Sequence, residues 1–190
     1  MENGATYKTI IDDFDRESRR EDSIFTKNLT QADEKIIEYL GKIIKPNMKV
    51  LEVGMGMGNV IEKLECDAWG LDASEGMLEK SSLKHKYLGN MDDMPFPDNS
   101  FDLVFMAFTL QHSLNPQKTI KESMRVLRPN GNLIIFDGDK NSSIGQEREK
   151  SIAEGNWKMV GKANWLSRDD YPHFLADHIM PHILVLNKMK

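Results

Sequence analysis

A glycine-rich turn between a buried strand and a helix constrains this chain more than any other feature. The segment Met48–Val53 is apolar enough for a buried strand, and Gly54, Gly56 and Gly58 follow it at alternate positions. Glycine is favoured where the backbone takes left-handed angles and where a ligand must approach the main chain. A helix predicted over Asn59–Glu65 would present free N–H groups towards the occupant of this turn.

An acidic residue at the end of the next predicted strand completes the pattern. Ala68–Leu71 predicts a strand, and Asp72 ends it 20 residues after Glu52. At the tip of the neighbouring strand, a carboxylate can accept hydrogen bonds from both hydroxyls of a ribose. The dinucleotide fingerprint G-x-G-x-x-G fails in both registers, because Asn59 and Ile61 stand where its last glycine belongs. A P-loop would need Gly-Lys-Ser or Gly-Lys-Thr after the turn, and neither is present.

The rest of the chain alternates short apolar runs with helical stretches, which predicts an α/β domain with a mostly parallel sheet. Further strands are predicted over 86–89, 101–106, 132–137 and 183–186, and helices over 7–27, 30–44, 74–80, 116–126 and 169–177. Residues 128–131 predict a turn. Because only one clear strand follows residue 138, the sheet has six strands, or a seventh too irregular to recognise.

Composition narrows the class of protein. The chain has 190 residues, which suits one domain. Its formal net charge is −5, whereas nucleic-acid-binding proteins usually present a basic face. Its one cysteine excludes metal frameworks built on paired cysteines. No apolar run has the roughly 18 residues of a membrane-spanning helix, and the N-terminus lacks the pattern of a secretory signal. We therefore expect a cytoplasmic protein whose partners are neither nucleic acids nor membranes.

Four segments in unbroken order resemble the class I S-adenosylmethionine (SAM)-dependent methyltransferases, in particular the branch of the ubiquinone and menaquinone methyltransferases. They are residues 50–58, 70–78, 89–102 and 126–133, within a likeness that covers about 30–137. The resemblance implies a doubly wound, Rossmann-like sheet with helices on both faces. It also implies SAM as cofactor and methyl transfer to an oxygen, nitrogen or carbon atom of a small molecule, with S-adenosylhomocysteine as product.

The resemblance assigns roles around the glycine turn. Glu52 would contact the loop backbone, or the methionine ammonium of SAM through water. Gly54 and Gly56 would line the methionine and ribose moieties, and Gly58 would allow close packing. Asp72 would hold the ribose hydroxyls.

The same resemblance implies an adenine site. Ala73 and Met77 would flank the ring, and Met91 would offer a backbone N–H to a ring nitrogen. The family usually has aspartate where this chain has Asn90. An asparagine carbonyl can still accept a bond from the adenine amino group, and Asp92 is an alternative acceptor.

The segment after the strand over 101–106 corresponds to the floor of the family's pocket. Ala107 would lie near the methionine end of SAM. His112 is the candidate general base, because the ordinary pKa of histidine lies near neutrality. The alternative is a histidine that only bonds to backbone at a helix start. Tyr7 and Phe14 belong either to an N-terminal lid or to core packing.

Two groups of side chains suggest a metal, and neither is convincing. The spacing of His173, His178 and His182 matches no standard site. Asp137, Asp139 and Asn141 only faintly resemble metal-dependent catechol O-methyltransferases, and a polar loop accounts for them. We expect no metal.

We divide the single domain into an N-terminal helical lid (1–29), a SAM-binding core (30–137) and a shortened C-terminal substrate-side segment (138–190). The short last segment leaves little room for a separate substrate domain. The acceptor would then be small, or bound partly by the N-terminal helices or by a second subunit, so a homodimer stays open.

Two other functions fit the same residues. One is a SAM-using enzyme of different chemistry, and the other is a non-catalytic SAM-binding or scaffold protein. S-adenosylhomocysteine as product separates methyl transfer from the first. Tight cofactor binding without turnover would favour the second.

Overall fold

Seven strands form one sheet in the computed structural model, which describes residues 6–20, 30–137, 150, 158–164 and 182–188. In chain order they are β1 (Lys49–Val53), β2 (Asp67–Asp72), β3 (His85–Leu88), β4 (Phe101–Ala107), β5 (Leu127–Asp137), β6 (Lys158–Asn164) and β7 (His182–Asn187). Their order across the sheet is β3-β2-β1-β4-β5-β7-β6. The first five are parallel, and β7 pairs antiparallel with β5 and β6. The predicted doubly wound fold is confirmed, and the described ranges contain seven strands.

Helices cover both faces of this sheet. They are α1 (Tyr7–Ser18), α2 (Gln31–Gly41), α3 (Glu75–Lys80) and α4 (Pro116–Val126). Ile36 and Leu40 of α2 share a buried cluster with Val50, whereas Ile120 of α4 belongs to the cluster around Leu51. Neighbouring residues of β1 thus face opposite cores, as a strand buried on both sides requires. In the described ranges, no helix has the length and apolar character to cross a membrane.

The caps of two helices explain why the sequence predicted them well. Thr30 precedes α2, where its hydroxyl accepts from the Asp33 N–H at 3.1 Å and the Asp33 carboxylate accepts from the Thr30 N–H at 2.9 Å. These reciprocal bonds form a capping box, a local pattern that marks the start of a helix. Asn115 caps α4, and Pro116 occupies its first turn, where a missing N–H costs nothing.

The helix predicted over Asn59–Glu65 is wrong. Only a 3-10 turn, Ile61–Lys63, stands there. The five residues of β1 span roughly 16 Å, and the next strand must start at the opposite end. The eight residues between Gly58 and Asp67 would cover only about 12 Å as an α-helix. The connection is therefore too short for a helix and runs more extended.

Two features of the C-terminal strands also differ from the prediction. The turn expected over 128–131 lies inside β5, where Asn130 takes a left-handed φ of 67°. Strand β6 falls in a stretch that predicted no element. It pairs only with β7, and its register shifts between Met159 and Gly161. That irregularity interrupts the alternation by which a strand is recognised.

Candidate functional site

The loop after β1 folds onto the end of β2. Gly54, Gly56 and Gly58 have φ angles of 68°, 53° and 81°, in the left-handed region that favours glycine. The N–H groups of Gly54 and Met55 both donate to the Leu71 carbonyl, at 2.7 and 3.1 Å. These bonds place the loop beside the residue that ends β2.

Gly54 is packed against a neighbouring side chain, whereas Gly56 faces open space. A Cβ added to Gly54 would lie 2.2 Å from Cγ2 of Thr109, whereas one added to Gly56 would meet nothing within 4 Å. Gly54 therefore has no side chain because Thr109 lies against it. Gly56 exposes its main chain to open space, as a ligand cradle requires. At Gly58, an added Cβ would lie 2.8 Å from Glu62, which fits the close packing expected there.

Asp72 lies at the centre of this arrangement. Its carboxylate accepts the Gly56 N–H at 2.7 Å and the Ser74 N–H at 2.9 Å. Burial raises the pKa of Asp72, and the bonds from backbone N–H groups oppose that rise. A carboxylate oxygen accepts more than one hydrogen bond. Both oxygens therefore keep capacity for the hydroxyls of a ribose.

Glu52 supports the same loop from the core. Its side chain is buried, and its carboxylate accepts the Ile61 N–H at 3.1 Å. Burial raises the pKa of Glu52 well above its ordinary range, because a low-dielectric surrounding disfavours the charged form. The observed contact is with the backbone that follows the loop, not with the loop of residues 54–58 itself.

The residues expected around an adenine gather at the ends of β2 and β3. Ala73 follows Asp72, and Met77 on α3 is only 2% exposed. The Asn90 carbonyl oxygen accepts the Asp92 N–H at 2.8 Å, so it already serves a local turn. Met91 is half-buried beside the core.

Asp92 has partners that the sequence did not indicate. It is 5% exposed, and the Tyr7 hydroxyl donates to its Oδ2 at 2.5 Å. The Thr119 hydroxyl donates to its Oδ1. Asp92 therefore links α1 to α4, and both its oxygens are engaged.

Helix α1 lies across the ends of several strands. The Tyr7 hydroxyl accepts the Leu114 N–H at 3.1 Å, and Asp15 accepts the Gly76 N–H at 3.1 Å and the Ser74 hydroxyl proton. The Phe14 ring packs edge-on against His112, with centroids 5.1 Å apart. Asp15 was missed, because one acid among the exposed acids of a helix gives no signal of a distant partner.

His112 stands in a 3-10 turn, Leu110–His112, after β4. Burial lowers its pKa, so the imidazole is neutral at neutral pH. Its Nε2 lies 3.3 Å from Nε2 of Gln111. The His112 backbone N–H donates to the Thr109 carbonyl at 2.9 Å. Ala107 ends β4 just before this turn.

Metal ligands do not gather in the described ranges, where no three His, Cys, Asp or Glu side chains could hold an ion together. His173 and His178 lie outside the described residues, as do Asp139 and Asn141. His182 and Asp137 are described only by their backbone.

The open space above Gly56 and the half-buried carboxylate of Asp72 fit a nucleoside with a free ribose. Two further acids, Glu52 and Asp15, lie close enough to Asp72 to interact with it electrostatically. In the described part of the chain, none of the three forms an ion pair. Unpaired carboxylates suit a ligand that carries positive charge, and SAM carries a sulfonium.

Comparison with known proteins gives a consistent result. The family model of the methyltransferase domain matches residues 51–135. An uncharacterized protein of Methanocaldococcus jannaschii is 30% identical over 168 residues, which are 86% of this chain and 78% of that protein. The demethylmenaquinone methyltransferase of Renibacterium salmoninarum is 32% identical over 109 residues, 54% of this chain and 45% of the enzyme. The chain thus spans less than half the length of that enzyme.

Solved structures share the fold. The protein solved in complex with the Trm112 methyltransferase activator of Haloferax volcanii has a TM-score of 0.74 and 15% identity, covering 93% of this chain and 98% of that one. A SAM-dependent methyltransferase from Aquifex aeolicus has a TM-score of 0.63 and 20% identity, covering 83% and 89%. Residues 51–135 thus form a methyltransferase domain, and the fold is that of solved SAM-dependent methyltransferases.

Proposed function

We propose that this protein transfers the methyl group of SAM to a small-molecule acceptor. One observation carries the proposal. The loop of Gly56 is bonded to Asp72 beneath open space, and the turn that holds His112 follows the adjacent strand β4. Strands β1, β2 and β4 are neighbours and parallel, and ligands of such sheets bind at the carboxyl ends of the strands.

The residues of the loop and of β2 would hold the cofactor. Asp72 would accept the ribose hydroxyls, and Gly54 and Gly56 would lie along the ribose and methionine moieties. When bound, SAM supplies an electrophilic methyl group on its sulfonium. The protein therefore has to align an acceptor in line with that bond and exclude water, which is catalysis by positioning.

The adenine would lie between the ends of β2 and β3. Ala73 and Met77 would flank it, and Met91 would donate its backbone N–H. Asn90 is the proposed acceptor for the adenine amino group, although its carbonyl already accepts one bond. A carbonyl oxygen has two lone pairs, so the second bond is available.

His112 is the proposed general base, and Ala107 would lie beside the methionine end. A neutral imidazole can take a proton from an acceptor hydroxyl or amine as the methyl group arrives. The lowered pKa of His112 keeps that form populated at neutral pH. A carbon acceptor that is already nucleophilic would need this residue less.

Helix α1 is the proposed lid, within the segment 1–29. Tyr7 and Asp15 attach it at two points on the rim of the site, and Phe14 contacts His112. An acceptor that reaches His112 would therefore lie near the Phe14 ring. The Renibacterium relative is named for demethylmenaquinone, which makes small aromatic and quinone compounds the first acceptors to test.

The test is methyl transfer from methyl-labelled SAM to a panel of small aromatic alcohols, amines and quinones. We expect S-adenosylhomocysteine and a labelled product, both lost in Asp72→Ala. His112→Asn should lower the rate of transfer to hydroxyl acceptors by a larger factor than it lowers the affinity for SAM. A product other than S-adenosylhomocysteine would indicate different SAM chemistry. Tight binding without turnover across the panel would indicate a non-catalytic protein.

The proposed location is the cytoplasm and the proposed assembly is a homodimer. Strand β3 is an edge of the sheet, and its Leu88 side chain is 56% exposed, which supports association there. The similarly folded Haloferax protein was solved with an activator, so a small activator is the second candidate. Light scattering on the purified chain distinguishes them, since a lone monomer would contradict the homodimer.

A further inference from the structure

The chain takes an unfavourable backbone conformation immediately after β4. Phe108 has a φ of 54°, which a residue with a side chain rarely adopts. Its N–H donates to the Phe136 carbonyl at 2.7 Å, so the strand pairing with β5 holds it there. Such conformations are energetically costly and persist where the surrounding structure holds them in place, often at functional sites. The residue after this turn is Thr109, whose side chain points towards Gly54.

Thr109 reaches back to the glycine loop. Its side chain is 6% exposed, and its Oγ1 lies 3.2 Å from the Gly54 carbonyl oxygen and 3.1 Å from that of Ala107. The single hydroxyl proton is shared between these acceptors. Its methyl group occupies the space next to Gly54, where no Cβ would fit. Because Leu71 accepts the Gly54 N–H on the other side, Gly54 is fixed from two directions.

The backbone of Thr109 starts the turn that carries the proposed base. Its carbonyl accepts the His112 N–H at 2.9 Å. The same residue therefore bonds to the loop expected to hold the methyl donor and to the turn expected to hold His112. Thr109 and Gly54, which the hydrogen bond from the Thr109 hydroxyl joins, are 55 positions apart in the sequence.

We propose that Thr109 is a positioning residue that fixes the glycine loop relative to the His112 turn. It acts through Gly54 and the backbone, and contact with the cofactor is not required. The proposal rests on the proposed function, because it concerns the loop that would bind SAM. Without the Thr109 hydroxyl, the Gly54 carbonyl loses its donor and the loop can shift away from the geometry that binds the nucleoside.

The first test compares Thr109→Val, which keeps the branched shape but removes the hydroxyl, with Thr109→Ser, which keeps the hydroxyl. Ser123→Ala is the matched control. The Ser123 hydroxyl is also buried and donates to the Thr119 carbonyl at 2.9 Å, within α4. Calorimetric titration with S-adenosylhomocysteine gives the dissociation constant, and urea unfolding gives the stability of each variant.

We expect Thr109→Val to weaken binding of S-adenosylhomocysteine by about three- to tenfold, the effect of one hydrogen bond. Thr109→Ser should stay within about twofold of the wild type. Ser123→Ala should lose stability but keep wild-type affinity. The rescue by serine is the diagnostic result, because a purely structural role would follow stability and not the hydroxyl.

Thr109→Ala provides a second comparison if Thr109→Val does not fold, since serine and alanine at this position differ only by the hydroxyl. Thr109→Ser must then bind the nucleoside more tightly than Thr109→Ala by the same factor. Equal affinities in this pair, or an equal weakening in Ser123→Ala, would overturn the proposal while the proposed function stands. A wild-type protein that does not bind S-adenosylhomocysteine would overturn both.

Discussion

Acidic side chains at the amino end of the sheet are held by cations. Asp102 at the start of β4 pairs with Arg128 and also accepts the Lys49 N–H at 2.7 Å. Arg125 at the end of α4 binds Glu122 and Asp98, both at 2.8 Å. It also donates to the backbone carbonyls of 94 and 96. These pairs join the loop before β4 to the helix before β5.

Acidic side chains at the carboxyl end are held by neutral donors. Glu52 and Asp72 accept backbone N–H groups, and Asp15 and Asp92 accept hydroxyl protons. Within the described ranges, no lysine or arginine is paired with any of these four.

The difference appears in the pKa values. Bonding to Arg125 lowers the pKa of Glu122, whereas burial raises those of Glu52 and Asp72. The charged form of Glu122 therefore favours the folded state at the amino end, whereas the charged forms of Glu52 and Asp72 oppose it at the carboxyl end. Bound SAM, the proposed ligand, would carry positive charge to these acids and offset that cost. The acids at the amino end of the sheet thus contribute to the stability of the fold, whereas those at the carboxyl end are available to bind a ligand.

The largest expected effect is on binding and comes from Asp72→Ala. Loss of hydrogen bonds to a charged acceptor costs about 1.5–3 kcal/mol, or roughly ten- to a hundredfold in the dissociation constant of S-adenosylhomocysteine. Asp102→Ala at the other end is the control, with lower stability and unchanged affinity. Calorimetric titration measures both, and an equal loss of affinity in the two variants would remove the distinction between the ends.

Arg125→Met tests the stabilising end. The variant removes the Arg125 bonds to Glu122, Asp98 and two backbone carbonyls. We expect its free energy of unfolding to fall by about 1–2 kcal/mol at pH 7. Because the folded pKa of Glu122 lies below its ordinary 4.5, that contribution is present above pH 4.5 and is lost as the pH falls further. Urea unfolding at pH 7 and pH 4 should show the variant approaching the wild type in acid. A constant difference would contradict the role of Glu122.

Glu52→Gln tests the carboxyl end of the sheet, where we expect a substitution to raise stability instead of lowering it. The folded pKa of Glu52 is raised above 4.5, so the stability of the wild type falls as the pH rises from 4.5 through the folded pKa. An amide can still accept the Ile61 N–H without carrying charge. We expect the variant to be more stable than the wild type at pH 8 and to lack this decline. Lower stability of Glu52→Gln at pH 8 would show that the charge itself supports the fold.

His112→Asn gives the smallest expected change. Because the folded pKa of His112 is lowered by burial from 6.5, the unfolded chain binds a proton that the folded chain does not. The wild type should therefore lose stability as the pH falls below about 6.5. The variant should lose less between pH 7 and 5. Parallel pH profiles of urea unfolding would mean that the imidazole is solvated.

The sequence predicted the parts of this fold that depend on local signals. The bounds of α4 follow from Asn115 and Pro116, which cap and start it. The approach of the glycine loop to Asp72 follows from parallel neighbouring strands, whose carboxyl ends share an edge. The hydrogen bond from the Gly56 N–H to the Asp72 carboxylate, at 2.7 Å, joins the two features that the sequence pattern predicted to be neighbours.

The parts that were missed depend on length or on distant partners. The helix predicted after Gly58 does not form, because the connection to β2 is too short for it. Strand β6 is stabilised by pairing with β7 rather than by its own alternation. Asp15 and Thr109 act through partners 59 and 55 positions away. No local pattern encodes such contacts, so only the folded chain identifies them.

The most direct test of the account is thermal unfolding with S-adenosylhomocysteine and, separately, with NAD. Ligand at about 100 times its dissociation constant adds roughly 2.7 kcal/mol of stability, which for a domain of this size raises the midpoint by about 5–10 °C. We predict that rise with S-adenosylhomocysteine and none with NAD. In Asp72→Ala, whose affinity should be roughly ten- to a hundredfold lower, the same S-adenosylhomocysteine concentration should give about half that rise or less. A wild-type midpoint unchanged by S-adenosylhomocysteine, or raised by NAD instead, would contradict the assignment of the carboxyl end of the sheet to SAM.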